Sequence, residues 1–569
     1  MMFNPDRLRD RVSYIAEIFE KRLREVVTRG ELLDLITPVD PETGSRALKE
    51  VMGEGVFPIY GVDGSVVLED RLEIALIYVC AAAFKGSLRI SEEVRFDVKN
   101  AELVEPLSTG VAIPMWLEDL PNVEEVGSAS TDYEISRGME NMAGRLMRLA
   151  ELKLLREIMT KERKGIFLID GLISGMIGPL SRDVRTLLKR PNSSVFEKVD
   201  TSHGRVTRED LLVASSLGPN FYIPPRGAYL KYCILGALIR ALDEGEGWVD
   251  IPSLGDIVGI DQGKVLQGYR GLKGLSRSLK LNLIERRGSY VRADPKLKSY
   301  WERVIEASHS IIDHIFSDTA DHPLMLEGSW ITGLDLSAVS LFTLYEVIEL
   351  SLKEEALLIG IAKDTGSTDL QRTLINLSLI KRGSEPMEIE AKSDKGFLAL
   401  LSSLRSEELP TPWRTIEYDS AFTTTFLDSS GGRPIVKPAR RVIARERLAV
   451  KSYFQLRSSS RDRSLRSPVF CYDRPYYPRF DEELLDELEC EERGRRTRLR
   501  PFLEFRRRSK IGDAIIFALS NMDDPNVVEE MGHNHLLFLA DKFVKALARQ
   551  AKQAIKGVAE LELTPLTRK

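Results

Sequence analysis

Two stretches decide the fold: VFPIYGVDGSVVL at residues 56–68 and GIFLIDG at residues 165–171. Each is a run of apolar, β-favouring residues that meets an aspartate followed by glycine. Glycine lets a chain turn sharply, so Asp63 and Asp170 are expected at strand ends, projecting from the rim of a sheet. Two such ends lie side by side when their strands are neighbours. The alternative is that each aspartate caps a turn, a frequent use of Asp.

Outward from these stretches, IALIYVCAAAF (74–84) is apolar enough for a second, buried strand, and SLRISEEVRFDV (87–98) is a third candidate. Between Asp132 and Lys161, Met142, Leu146, Leu149, Leu152, Leu155 and Met159 recur every three or four residues. That period predicts a helix running straight into the strand of Asp170. ALLIGIAKDTGST (356–368) repeats the strand-then-turn construction, with a helix expected from Asp369. Residues 442–480 alternate apolar with basic side chains, as a hairpin with one charged face would. A long last helix is expected from Asn534 to Ala559.

Between about 195 and 335 the pattern changes to helical candidates broken by loop material. Within it, IPSLGDIVGI, KVLQGYRGLKGLSRSL and LNLIERRGSYVRADP would suit two helices and a two-stranded wing, the outline of a winged helix. The competing reading is a helical insertion whose hairpin packs on the body. The predicted organisation is an N-terminal helical segment (1–55), a first core part (56–195), a mainly helical insertion (196–335) and a second core part (336–569). The last carries a basic hairpin region (437–510) and the C-terminal helix.

At 569 residues the chain exceeds what one hydrophobic core serves, so two domains or a large insertion are expected. A 43% hydrophobic and 29% charged composition with net charge −5 gives no global sign of nucleic-acid affinity; any basic surface must be local. Cys80, Cys233, Cys471 and Cys490 share no CxxC spacing, which argues against a zinc ribbon or a disulfide framework and for a reduced, cytoplasmic setting. The first residues thread charges through an apolar stripe, unlike a signal peptide, and no run reaches the ~18 apolar residues a membrane span needs.

Further carboxylates stand in apolar surroundings. Glu151 has Met147, Ala150, Leu154 and Leu155 as helical neighbours, whereas Glu157 lies between Lys153 and Lys161 in an ordinary salt-bridge pattern. Asp541 in the last helix is flanked by Leu537 and Val544. Buried carboxylates are costly unless protonated or bound, and hard divalent ions take oxygen ligands from such groups. His533 precedes Asp541 by eight residues, ~12 Å along a helix, too far to share one ion. It is placed near a substrate phosphate or a second ion instead.

In order, GVDGS, a helical Glu nineteen residues before a strand-borne DG, GIAKDTGS, and a last helix with LADKFVKAL resemble the NurA nuclease family of archaea and bacteria. The resemblance covers roughly 56–195 and 340–560. It implies an α/β fold: an RNase H-like mixed sheet flanked by helices, with 196–335 as an insertion. It matches Asp63, Glu151 and Asp170 to the family's catalytic carboxylates, Lys363 to a lysine of the strand-plus-loop motif, and Asp541 to the last-helix position. GHNH, with His533, replaces a tyrosine-containing turn.

The implied activity is metal-dependent cleavage of DNA, single-stranded or at 5′ ends, by a homodimer partnered with a HerA-type hexameric translocase, with no membrane role. Two Mn2+ or Mg2+ ions would be held by Asp63, Glu151, Asp170 and Asp541, with Lys363 facing the phosphorane charge. Arg445, Arg447, Lys451, Tyr453 and Arg457, basic and aromatic in turn, are expected to follow a DNA backbone and stack bases. Two rival readings are a non-catalytic DNA-binding adaptor on the same scaffold and a winged-helix transcription factor, which leaves the carboxylates unexplained.

Overall fold

The computed structural model describes residues 13–14, 17, 30–71, 74–104, 109–124, 132–190, 194–219, 230–245, 247–363, 365–381, 384, 389, 391–419, 425–428, 435–438, 449–458, 466–486, 488–492, 495–499, 502–523 and 534–562. The central sheet is built from β1 (Ile36–Pro38), β2 (Gly55–Arg71), β3 (Ile74–Ile90), β4 (Val94–Leu103), β5 (Thr109–Trp116) and β6 (Ile166–Asp170). After an excursion containing β7 (Val249–Asp250), β8 (Ile284–Arg287) and β9 (Tyr290–Ala293), it resumes with β10 (Leu357–Ala362), β11 (Trp413–Thr415), β12 (Tyr418–Asp419), β13 (Ala449–Gln455) and β14 (Phe470–Pro475). The helices used below are α1 (Pro41–Met52), α2 (Asp132–Lys161), α3 (Ile173–Leu187), α4 (Arg208–Leu217), α5 (Leu230–Asp243), α6 (Ser253–Val258) and α7 (Gln262–Leu279). They continue with α8 (Tyr300–Ile315), α9 (Gly333–Lys353), α10 (Asp394–Leu404), α11 (Lys510–Asn521) and α12 (His535–Glu562).

Across the sheet the order is β1-β11-β13-β14-β10-β6-β2-β3-β4, with β5 also on β3 and β12 on β13. β2, β3 and β4 form an antiparallel meander, while β6 runs parallel to β2 and β10 parallel to β6. Three antiparallel strands followed by two parallel ones, the first lying at the centre, is the RNase H-like arrangement the motifs imply. The parallel strands are continuous apolar runs because both faces are covered. On one face α2 and α9 share a core with Tyr60, Val62, Phe167 and Ile169. On the other, α1, α11 and the start of α12 pack on Ile59, Ile166, Leu168 and Ile359. The first of these cores continues without a break into α4, α5 and α8 of the 196–335 segment.

The structure corrects two sequence expectations. Asp63 is not at a strand end: β2 runs seventeen residues, and Asp63 and Gly64 pair with Ala82 and Ala81 in mid-ladder. The glycine serves close approach rather than a turn, as shown below. The basic hairpin, for its described part, has no solvated charged face. β13 and β14 lie inside the sheet between β11 and β10, and every residue of both is buried.

Candidate active site: carboxylates around strand β2

Gly61 and Gly64 bracket Asp63, and each makes room for a helix. A Cβ on Gly64 would stand 2.7 Å from Oε1 of Glu151 and 3.1 Å from Cγ of Met147, so α2 lies directly on the strand there. A Cβ on Gly61 would meet the Leu536 and Leu537 backbone at 2.8 Å, where α12 begins. Strand alternation puts residues 61 and 63 on the α12 face and residue 64 on the α2 face. Ala82, paired with Asp63, packs with Val544 of α12, in agreement with that alternation. Asp63 and Glu151 thus approach from opposite sides of β2 with no side chain at Gly64 between them.

Both carboxylates are 5% exposed. Asp63 Oδ1 accepts from the Gly64 N–H at 2.8 Å. Burial, then the nearby charge of Asp170, push the Asp63 carboxyl up to about 7, with Asp541 adding to the rise and Lys363 opposing it. Glu151 is pushed up to about 8 by burial and then by Asp63, with Arg148 opposing.

Asp170 ends β6, and Gly171 at φ +102° turns the chain away, which glycine does without strain. Its register partner is Ile361, two residues before Lys363, whose Nζ lies 3.8 Å from Asp170 Oδ2. Burial raises the Asp170 pKa, and Lys363 counters it. Asp541 is carried on α12, whose start is capped by Asn534 Oδ1 accepting from Leu536 and Leu537 N–H at 3.0 and 3.2 Å. Its carboxylate is engaged by Lys545 Nζ at 2.7 Å. Four predicted carboxylates and Lys363 therefore act electrostatically on one another, from a strand centre, a strand end, two helices and a loop. His533, Arg445 and Arg447 lie outside the described residues.

Among the described residues no three His, Cys, Asp or Glu side chains gather closely enough to hold one ion as they stand. The donor set is nonetheless all oxygen and in excess of local cations, and burial first, then repulsion from neighbouring acids, raises the proton affinity of Asp63 and Glu151. That chemistry fits a hard divalent cation.

The expected DNA-contacting residues are placed otherwise. Lys451 Nζ is buried against Asp369 at 2.7 Å, and Tyr453 is buried with its hydroxyl donating to Asp394 Oδ2 at 3.1 Å. Neither can follow a phosphate backbone, because both lie on an interior strand. Arg457 is paired with Asp523 at 2.6 Å. Instead, Lys451, Asp369, Asp394, Tyr418 and Tyr453 form a buried polar network beneath the loop that carries Lys363. Tyr418 donates to Asp369 at 2.7 Å, Asp394 accepts from the Leu370 and Gln371 N–H groups, and Lys395 Nζ donates to the Lys363 carbonyl at 2.6 Å.

Sequence reading also missed Asp473. From β14 it accepts from the Ile173 and Ser174 N–H groups at 2.9 and 2.7 Å, capping α3 just after Asp170. Gly360 leaves it room, since a Cβ there would lie 2.6 Å from Asp473 Oδ1. The signal available was a lone charged pair, Asp473–Arg474, inside an otherwise apolar strand.

No protein-family model and no curated protein matches the chain. Among solved structures it is similar to the NurA nuclease from Sulfolobus solfataricus, at 12% identity and TM-score 0.40, covering 99% of this chain and 98% of that one. It is similar also to NurA bound to dAMP and manganese, at 13% identity and TM-score 0.38, with 97% of each chain covered. A third likeness is to NurA with manganese, at 13% identity and TM-score 0.35, covering 97% of this chain and 98% of that one.

Proposed function

We propose that the chain is a metal-dependent DNA nuclease that hydrolyses phosphodiester bonds at the carboxylates around β2. The observation that carries this reading is the meeting of two buried carboxylates, Asp63 and Glu151, across a glycine, with Asp170 beside them. A structural role would not bury two acids without a cation against either among the described residues, where burial raises both and neighbouring acids, Asp170 for Asp63 and Asp63 for Glu151, raise them further. Asp63, Glu151, Asp170 and Asp541 would hold Mn2+ or Mg2+, two ions in our reading, which when bound supply an activated water and charge neutralisation at phosphorus. Asp63 and Glu151 would release their protons as the ions load. Lys363, oriented by Asp170 and by the network beneath its loop, would face the phosphate and offset its developing charge. His533 would act near the substrate phosphate or a second ion.

The motif resemblance extends the proposal to single-strand endonuclease and 5′–3′ exonuclease action in the processing of DNA ends, by a cytoplasmic homodimer working with a HerA-type translocase. In the same reading, 196–335 is an insertion between two parts of the nuclease core. Arg445, Arg447 and Arg457 stay candidates for substrate contact. One observation favours a non-catalytic adaptor instead: Asp541 is already engaged by Lys545.

The two readings separate when the protein and Asp63→Ala are incubated with 5′- and 3′-labelled single-stranded and duplex DNA in Mn2+, Mg2+ or chelator. Degradation that needs metal and disappears in the variant is expected. Binding without degradation in every condition would sink the nuclease and support the adaptor.

A further inference from the structure

Residues 230–293 fold as helix α5, strand β7, helices α6 and α7, and strands β8 and β9. β9 is the middle strand of a three-stranded sheet, between β8 and β7. α7 packs on α5 at Gly268, where a Cβ would stand 2.6 Å from Cδ1 of Ile234. Asp261 caps α7, accepting from the Lys264 N–H at 2.9 Å. β8 and β9 join through a two-residue turn, Gly288–Ser289, with Gly288 at φ +65°.

The buried side of α7 is Val265, Gly268, Tyr269 and Leu272. Opposite it, Leu266, Arg270, Lys273 and Arg277 are all exposed, and their 4-3-4 spacing lines them up in one stripe. The three cations have no ion pair with any described residue and span ~10 Å of helix. Gly274 lies beside the stripe, and no atom of the described residues lies within 4 Å of a Cβ built there. Glycine costs ~1 kcal/mol in an exposed helix interior; packing among the described residues does not explain Gly274, and a glycine there leaves the surface open to close approach.

The wing tip adds Arg287 and Tyr290, both exposed. From 262 to 292 there are eight Lys or Arg and one acidic residue, Glu285, which is taken up by Arg292 at 2.7 Å. In a chain of net charge −5 this is a local surface of the opposite sign.

We propose that this unit is a winged helix that binds duplex DNA, with α7 in the major groove and the wing on the adjacent backbone. A groove ~12 Å wide admits one helix, and its phosphates, one charge per ~1.7 Å of axis, match a straight stripe of closely set cations. The site is separate from the carboxylates and does not depend on cleavage. It would hold the duplex from which a strand end is fed to the cutting site.

The test uses the full chain in chelator, so that cleavage cannot intervene, with a fluorescent duplex of about 25 base pairs. Arg270→Gln/Lys273→Gln/Arg277→Gln, at exposed positions, should keep its melting temperature and lose at least ~10-fold in duplex affinity. The slope of log affinity against log salt should fall by about 2 to 3. Arg287→Gln, away from the helix, should lower that slope by about 1. Duplex affinity and slope unchanged in both variants overturn the proposal. So does equal competition by polyglutamate at matched charge, which would mark the stripe as a surface for acidic proteins.

Discussion

At the scale of single residues, Gly64 is the more informative half of the Asp63–Gly64 pair. Replacing it by alanine forces a Cβ to 2.7 Å from Glu151 Oε1. The nearest contact is with the far end of a flexible side chain, so Gly64→Ala should fold, at a cost of roughly 1–3 kcal/mol. The proposed metal-dependent cleavage should drop at least ~10-fold; a melting curve beside a cleavage assay checks both. Gly61→Ala presses on backbone at Leu536 and Leu537 and should be the more destabilising of the two. Glu151→Gln tests the charge itself. A carboxyl raised from 4.5 to about 8 in the fold is favoured at low pH. Its folded state then loses stability as pH rises from the unfolded value through about 8. In chelator the Gln variant should therefore melt above the wild type, by a margin that grows with pH up to about 8. A variant melting below wild type at pH 8.5 would refute the buried-charge account.

At the scale of elements, β13 shows how alternation misleads. It belongs to the stretch 442–480, which reads as a hairpin with one charged face, yet its neighbours β11 and β14 make it interior and every one of its residues is buried. Lys451 is thereby a structural cation, its proton held firmly by Asp369 despite burial. Lys451→Met would leave Asp369 buried without its partner and should destabilise by about 3–5 kcal/mol, seen as a loss of soluble protein or a large fall in melting temperature. Single-strand affinity per folded molecule should stay unchanged; a selective loss of affinity would return Lys451 to the DNA surface. Asp473→Asn removes one of two acceptors at the start of α3 and should cost roughly 1–3 kcal/mol. Because α3 follows Asp170 directly, cleavage should fall more than stability.

At the scale of the whole molecule, the sheet gathers residues more than three hundred positions apart by putting β2, β6 and β10 side by side under α2 and α12. The collected carboxylates make stability depend on pH and on cations together. Asp63 and Glu151, raised to about 7 and 8, should make the chelated protein melt at lower temperature at pH 8.5 than at pH 6. Mn2+ competes with those protons, so its stabilising effect should be larger at pH 8.5. Differential scanning calorimetry at the two pH values, with and without Mn2+, measures both terms. Equal Mn2+ shifts at both would detach the ion from these carboxylates.

Local physics wrote much of this into the sequence. The apolar runs of β2, β6 and β10, the 3.6-residue period of α2 and the apolar setting of Glu151 and Asp541 depend only on near neighbours, and each is readable by spacing. The order of α6, α7 and the β8–β9 hairpin was likewise legible, because turn residues and periodicity are local signals. Tertiary structure decided the rest. Whether Asp63 ends a strand depends on how far β3 pairs with it, and whether Lys451 meets water depends on strands from 413–415 and 470–475. The room at Gly61 and Gly64 exists only because two distant helices press on one strand, and burial among distant segments has no signature in the residues that undergo it.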